Sequence, residues 1–403
     1  MLRNALYPAV GLIYISNGMQ VVLIAWLALS VLELTPISVG LLMAAMLLPQ
    51  VGLLPLTGRL ADRYEPTRLA KVGCAGLSVS HILMVAALHI TSLNTAVLVV
   101  YALCLGFSTA LFLPAKDKAA VQLLPNRLQR ALSLSSAFQF TGVAIGTLFA
   151  GFVDEIGVTG VLIVQFLLSA LAAVYWGLIP AHVSFIEHGP NKVADVKKPS
   201  IGAIYAHGIA MMKRSKALSQ LVVLCAFNGF MQMGFAVVLF PVLGFSHWDF
   251  NSTQYAWMQA SFSAGAIAVY IANAYRKPQQ YPGQSVLFCL LYTAGIAYAI
   301  TRGPTLFGSY GLIFLWGAVA GYSASMSRVL LYSVTSNNMR GRAAALYQMV
   351  LLGFAPVGSI VCGLLLEFMG VHQALYTLLA ANVMVFFAFL LSRELWSVKQ
   401  ASA

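Results

Sequence analysis

The feature that most constrains this chain recurs from one end to the other. Apolar stretches of about twenty residues follow one another, separated by short polar joints. A helix needs about 20 apolar residues to cross the hydrocarbon of a bilayer. Spans are predicted at Asn4–Leu32, Ile37–Gly58, Leu69–Leu88, Thr95–Leu113, Ala131–Val153 and Val158–Ile179. A second set is predicted at Leu218–Leu243, Ser252–Ala274, Gln284–Ile300, Leu306–Ser327, Ala343–Leu366 and Val371–Leu391. The first stretch runs past Asn17 and Gln20, which is too long for a cleaved signal and long enough to span.

The joints carry a second constraint. With the amino terminus inside, every lysine and arginine but Arg302 falls on one face or at a terminus. That is the bias expected of cytoplasmic loops. One missed or invented span would scramble it, so the charge pattern also checks the helix number and puts both termini in the cytoplasm. The net charge of +12 is then a topology signal, and no nucleic-acid partner is expected. Only 8% of residues are charged, against about 25% in soluble domains, so the surface must face lipid.

The longest polar joint, Ala181–Lys216, splits the spans into two sets of six. Inside it Ile201, Ile204, Tyr205, Ile209 and Met212 fall at helical spacing, which suggests a short interfacial helix. The expected organisation is all-α: a six-helix bundle over 1–180, a linker over 181–217, a second six-helix bundle over 218–392 and a cytoplasmic tail over 393–403.

The two sets repeat at an offset of about 212 residues. Asn17-Gly18-Met19-Gln20 answers Asn228-Gly229-Phe230-Met231-Gln232. Lys116 answers Arg328, and Arg130-Ala131 answers Arg342-Ala343. Gly146, Gly151 and Glu155 answer Gly358, Gly363 and Glu367. A repeat of six spans keeps its orientation, so the halves should be related by an axis along the membrane normal, with a solute site between them.

Between spans 2 and 3 stands Gly58-Arg59-Leu60-Ala61-Asp62-Arg63, read as a tight inner-face loop. It resembles the G-x-L-A-D-R loop of the major facilitator superfamily. With twelve spans, a 6+6 repeat and a basic central joint, the resemblance covers essentially the whole chain. The usual pattern is broken afterwards by Glu65, Pro66 and Thr67, and a basic residue returns at Arg68. The resemblance implies a cytoplasmic gate made by Gly58, Asp62, Arg63 and Arg68. Gly142-Val143-Ala144-Ile145-Gly146-Thr147-Leu148-Phe149-Ala150-Gly151 in span 5 looks like the family's antiporter motif, with Thr147 for proline. Such spacing equally serves close helix packing. Leu113-Pro114-Ala115-Lys116 resembles the enterobactin-exporter branch, and a similar segment occurs in lysophospholipid transporters.

Titratable groups deep in a membrane are functional candidates. No carboxylate is expected near the midplane. His81 is the one titratable group well inside a span and the first candidate for proton coupling. Glu33, Asp154 and Glu155 near the outer face are the alternatives. Uncharged polar residues mark the expected solute site: Asn17, Gln20, Gln139, Asn228, Gln232, Tyr347 and Gln348. Phe138, Phe227, Trp257 and Tyr255 are candidate aromatic walls.

The five cysteines lack metal-ligand spacing, and no G-x-x-x-x-G-K-[ST] loop or nucleophile–base–acid set occurs. No metal, cofactor or enzymatic activity is expected. The resemblance implies proton-coupled efflux of a small organic solute, siderophore-like or drug-like; a monomer is expected, and the short chain without large added domains suggests a bacterial inner membrane. Uptake, lysophospholipid flipping and a non-transporting receptor or scaffold are the rival expectations.

Overall fold

Each apolar stretch folds as helix, and no strand occurs among the described residues. The structure, a computed structural model, describes residues 6–123, 128–179, 215–275, 279–335 and 340–398. The expected linker helix lies outside the described residues.

In the first half, α1 is Leu6–Trp26, closing in a wider π turn at Leu27–Val31. There follow α2 (Pro36–Arg63), α3 (Pro66–Ile90), α4 (Thr95–Leu123), α5 (Leu128–Ala150) and α6 (Val153–Leu178). In the second half, α7 runs from Lys216 to His247 and alternates α-helical and π-helical turns. Then come α8 (Ser252–Tyr275), α9 (Pro282–Ile300) and α10 (Leu306–Ser333). Arg340–Ser392 is broken at Gly370, where φ is 80°, and its two limbs are α11 and α12.

Among the described residues, nine helical stretches are long and apolar enough to cross a membrane. One of them, Leu346–Ser392, makes two passes about Gly370. The more polar α5 and α8 complete a twelve-pass membrane fold. Proline marks several starts: Pro36, Pro66 and Pro282 each open a helix, where the missing N–H costs nothing. Ser215 caps α7 by accepting the Leu218 N–H at 3.3 Å.

Three boundaries differ from the sequence expectation. Gly58–Arg63 does not form a loop: α2 stays helical through Arg63, and the turn is made by the extended Tyr64 and Glu65. The residue before a proline disfavours helix, so Pro66 sets the turn there. Helix α4 continues past Leu113 to Leu123 with Pro114 inside it, and α10 continues past Ser327 to Ser333. Hydropathy ends where polar residues begin, whereas a helix end is fixed by its hydrogen bonds. Lys116 therefore lies on α4 and not in an inner loop. Beyond α12, Arg393–Val398 folds back onto α9. Leu395 is buried, and Gln284 Nε2 donates to the Trp396 carbonyl at 3.3 Å.

The bundles are assembled by glycines at matching places. A Cβ on Gly146 would strike the Ile15 carbonyl oxygen, and one on Gly18 that of Val143, so α1 and α5 meet backbone to backbone. In the second half Gly358 meets the Phe230 carbonyl and Gly229 that of Leu351, joining α7 to α11. Gly106 on α4 abuts Met46 on α2, and Gly317 on α10 abuts Phe262 on α8. The outer turns match too. A π turn followed by an acidic residue at positive φ (Glu33, 47°; Asp249, 51°) closes both α1 and α7.

The halves touch along α2/α11 and α5/α8. Gly40 lies under Ser359 and Gly363, and Gly151 under Ala256 and Thr253, all toward the helix ends opposite the chain termini. Deeper in, Phe140 and Tyr270 meet with ring centroids 5.4 Å apart.

Candidate functional site

Four helices of the first half converge on a buried polar cluster. Ser16 and Gln20 stand one turn apart on α1, His81 on α3, Tyr101 on α4, and Gln165 and Ser169 one turn apart on α6. All six are at least nine-tenths buried. Tyr101 donates its hydroxyl proton to Gln20 Oε1 at 2.8 Å. Its oxygen therefore accepts from His81 Nδ1, also at 2.8 Å. That fixes the tautomer: Nε2 is left to accept from Ser16 Oγ at 3.4 Å. Ser16 Oγ in turn lies 3.1 Å from Ser169 Oγ, and Gln165 Nε2 donates to the Ser16 carbonyl at 3.3 Å. The chain of donors ends at Gln20. The Gln20 Nε2 group and Gln165 Oε1 are buried with no hydrogen-bond partner in the structure. Orphaned buried polar atoms are costly, so such atoms mark a place for water or solute.

The structure thus brings together Gln20 and His81, which the sequence reading had given separate roles. Ser16, Tyr101, Gln165 and Ser169 were missed. The spacing of Gln165 and Ser169, one turn apart on an apolar helix, was the available signal. Asn17 is half-buried and points from the neighbouring face of α1.

A second site sits lower on the same bundle. Lys116 is only 5% exposed. Its ammonium donates to Tyr14 Oη at 3.0 Å and to Gln139 Oε1 at 3.2 Å, and lies 5.0 Å from the Tyr14 ring centroid. Gln139 is thereby a partner of a cation as well as a candidate solute ligand.

In the second half, Asn228 and Gln232 fall within the π-helical stretch Asn228–Phe235. Single π turns inside α-helices are frequent at functional sites. Gln232 Nε2 donates to Asn382 Oδ1 at 3.0 Å, and Asn228 Oδ1 is buried without a partner. The Tyr347 carbonyl accepts from Cys225 at 3.2 Å, while Gln348 is half-buried. Among the expected aromatic walls, Phe138 stacks on Tyr7 at 5.1 Å and Trp257 is exposed. Tyr255 is fully buried and accepts from Gln259 at 2.6 Å.

The outer acids divide by role. The Asp154 carboxylate accepts from the Ser252 hydroxyl across the halves. The Gly151 carbonyl accepts from Ser252 at 2.7 Å and Thr253 at 2.9 Å. At the other seam the Ile37 N–H points to Glu367 Oε2 at 3.4 Å. Each carboxylate thus sits at the amino-terminal end of a helix of the other half, where the helix dipole favours negative charge. All four of Glu33, Asp154, Glu155 and Glu367 are exposed. At the inner turn Arg68 pairs with Glu65 at 2.8 Å. The side chains of Gly58, Asp62 and Arg63 lie outside the described residues.

Residues 6–358 match the family model described as Major Facilitator Superfamily. No curated protein sequence matches the chain. Two crystal structures of the nucleoside transporter NupG share the fold, at TM-scores of 0.77 and 0.73 and 13% identity, over 97% of this chain and 99% and 98% of theirs. The human organic anion transporter MFSD10 aligns at a TM-score of 0.68 and 16% identity, over 96% of this chain and 98% of that one. A bacterial homologue of the human lysosomal transporter Spinster aligns at 0.65 and 15% identity, over 100% of this chain and 99% of that one.

Proposed function

The chain belongs to the Major Facilitator Superfamily, and on that premise we propose that it exports a small organic molecule in exchange for protons. As a member of that family it is a secondary transporter and not an enzyme. The mechanism is alternating access, by rocking of the two six-helix bundles about the α2/α11 and α5/α8 seams. It operates as a monomer in a bacterial inner membrane with both termini in the cytoplasm.

One observation carries this reading. The seams are closed by glycine contacts and by Asp154–Ser252 and Glu367–Ile37 at their outer ends. Contacts at these ends support a solute site served from the opposite, cytoplasmic side in this scheme. The antiporter-like glycines of α5 support export, although Gly142 and Gly146 pack on α1. The buried relay from Ser169 through His81 to Gln20 supports a proton role for His81, because its hydroxyl and imidazole groups each both give and accept a proton. Gln20, Asn228 and Gln232, with the flanking Asn17, Gln139, Tyr347 and Gln348, suit a polar organic solute such as a siderophore. Gly58, Asp62, Arg63 and Arg68 form the inner gate of this scheme.

The test is metabolite profiling of a deletion strain, in medium and cytoplasm, under iron-replete and iron-starved growth. An organic compound that accumulates inside and disappears from the medium is expected. A compound left unused in the medium and depleted inside would establish uptake and end the export reading. His81→Gln should abolish dependence on the pH gradient. Unchanged dependence would move proton coupling to Glu33, Asp154 or Glu155.

A further inference from the structure

Lys116 and Arg328 occupy matching positions in the two halves, on α4 and α10. At the 1.5 Å rise of a helix they stand about 32 Å beyond Thr95 and about 33 Å beyond Leu306, both near the inner ends of their passes. Lys116 is buried and held by Tyr14 and Gln139. Arg328 is exposed and makes no hydrogen bond or ion pair among the described residues. On α10 it stands about two turns beyond Gly321, which packs on Ala266 of α8, and Tyr270 stands about one turn beyond Ala266 on α8.

The α5/α8 seam connects the two cations. Gln139, which binds Lys116, is adjacent in sequence to Phe140, and Phe140 meets Tyr270 across the halves at 5.4 Å. Two positive groups, one from each half, thus flank the boundary along which the halves must separate. A buried cation in a membrane protein is expensive to keep and is rarely without use. A guanidinium presents a fork of donors that fits a carboxylate or phosphate, and an ammonium adds a point charge.

We propose that Lys116 and Arg328 jointly recognise the anionic group, of carboxylate or phosphate type, on an organic solute that enters from the cytoplasmic side. This names the substrate class of the export reading and rests on it. Lys116 is the fixed half of the site, positioned by Tyr14 and Gln139. Arg328 is the half that moves with the second bundle, so a bound anion favours the state in which both cations reach it.

The experiment uses the full chain in proteoliposomes, with a deproteinised extract of the deletion strain as the probe mixture and mass spectrometry as the readout. The species moved by the unaltered chain should be anionic at neutral pH. Arg328→Gln and Lys116→Gln should each cut its movement about tenfold or more, as for loss of a charged hydrogen bond. Arg328→Lys should retain most of it. Because Arg328 is exposed, its variants test the idea even if Lys116→Gln fails to fold. If the species moved is neutral or cationic, or if the Arg328→Gln chain moves the anion undiminished, the inference is overturned while export stands. If nothing is moved the inference falls too, and cysteine-pair crosslinks at the inner and outer mouths then decide the wider reading. Pairs that form exclusively of one another keep alternating access, and pairs that form together remove it.

Discussion

The two halves of this protein are packed alike and wired differently. Gly146 against Ile15 is answered by Gly358 against Phe230, and Gly106 against Met46 by Gly317 against Phe262. The polar interior does not follow. At the offset of about 212 residues, Gln20 is answered by Gln232, but His81 is answered by Thr293 and Tyr101 by Ile313. Among the described residues Thr293 bonds only the Cys289 carbonyl of its own helix, at 3.0 Å, and Ile313 is fully buried. Six polar groups are linked in the first half, whereas among the described residues Gln232 in the second half bonds Asn382 and joins no such network. Close packing is a demand both bundles must meet, so a duplicated fold keeps it. Chemistry is needed once, so one copy can hold it and the other can lose it.

The largest expected effect tests the shared part. Gly146→Val and Gly358→Val should each cost about 3 kcal/mol, because the added methyls meet backbone that cannot yield. Thermal unfolding of the detergent-solubilised protein should show similar losses for the pair. A tolerated change in only one half would break the packing symmetry.

The next tests the difference. Tyr101→Phe removes the hydroxyl between His81 and Gln20 and should cost about 1–2 kcal/mol. Thr293→Val, at the place matching His81, should cost less, because its hydroxyl bonds a carbonyl of its own helix and joins no other helix. Equal losses in denaturation would mean that the network has no special standing. A double-mutant cycle sharpens the point: His81→Ala with Tyr101→Phe should show about 0.6 kcal/mol of coupling, the usual scale for hydrogen bonds between membrane helices. Additive losses would mean that the two side chains act independently.

The smallest effect concerns the seam ends where each half offers a carboxylate to a helix start of the other. Asp154→Asn and Glu367→Gln should each weaken the outer seal by about 0.5 kcal/mol, the scale of a surface charge at a helix terminus. Crosslinking of a cysteine pair placed across the outer ends of α5 and α8 should fall roughly twofold in both variants. An effect from Asp154 alone would show that the two carboxylates are not equivalent.

The sequence alone determined the passes, the expected orientation and the repeat. These follow from length and composition counted along the chain, since a bilayer imposes both locally on every helix. It also supplied Gln20, Gln139, Asn228 and Gln232 as polar residues on apolar helices. Only the tertiary structure decided which partners they have. Ser16, His81, Tyr101 and Ser169 come from four helices, and no local pattern reports which faces meet. The same holds for Lys116. Its charge and its place after an apolar run made it resemble a loop residue, but α4 continues and the neighbouring α1 and α5 supply Tyr14 and Gln139 to bury it. Hydropathy measures how a residue stands toward lipid or water, whereas burial of a charge depends on what distant segments bring to it.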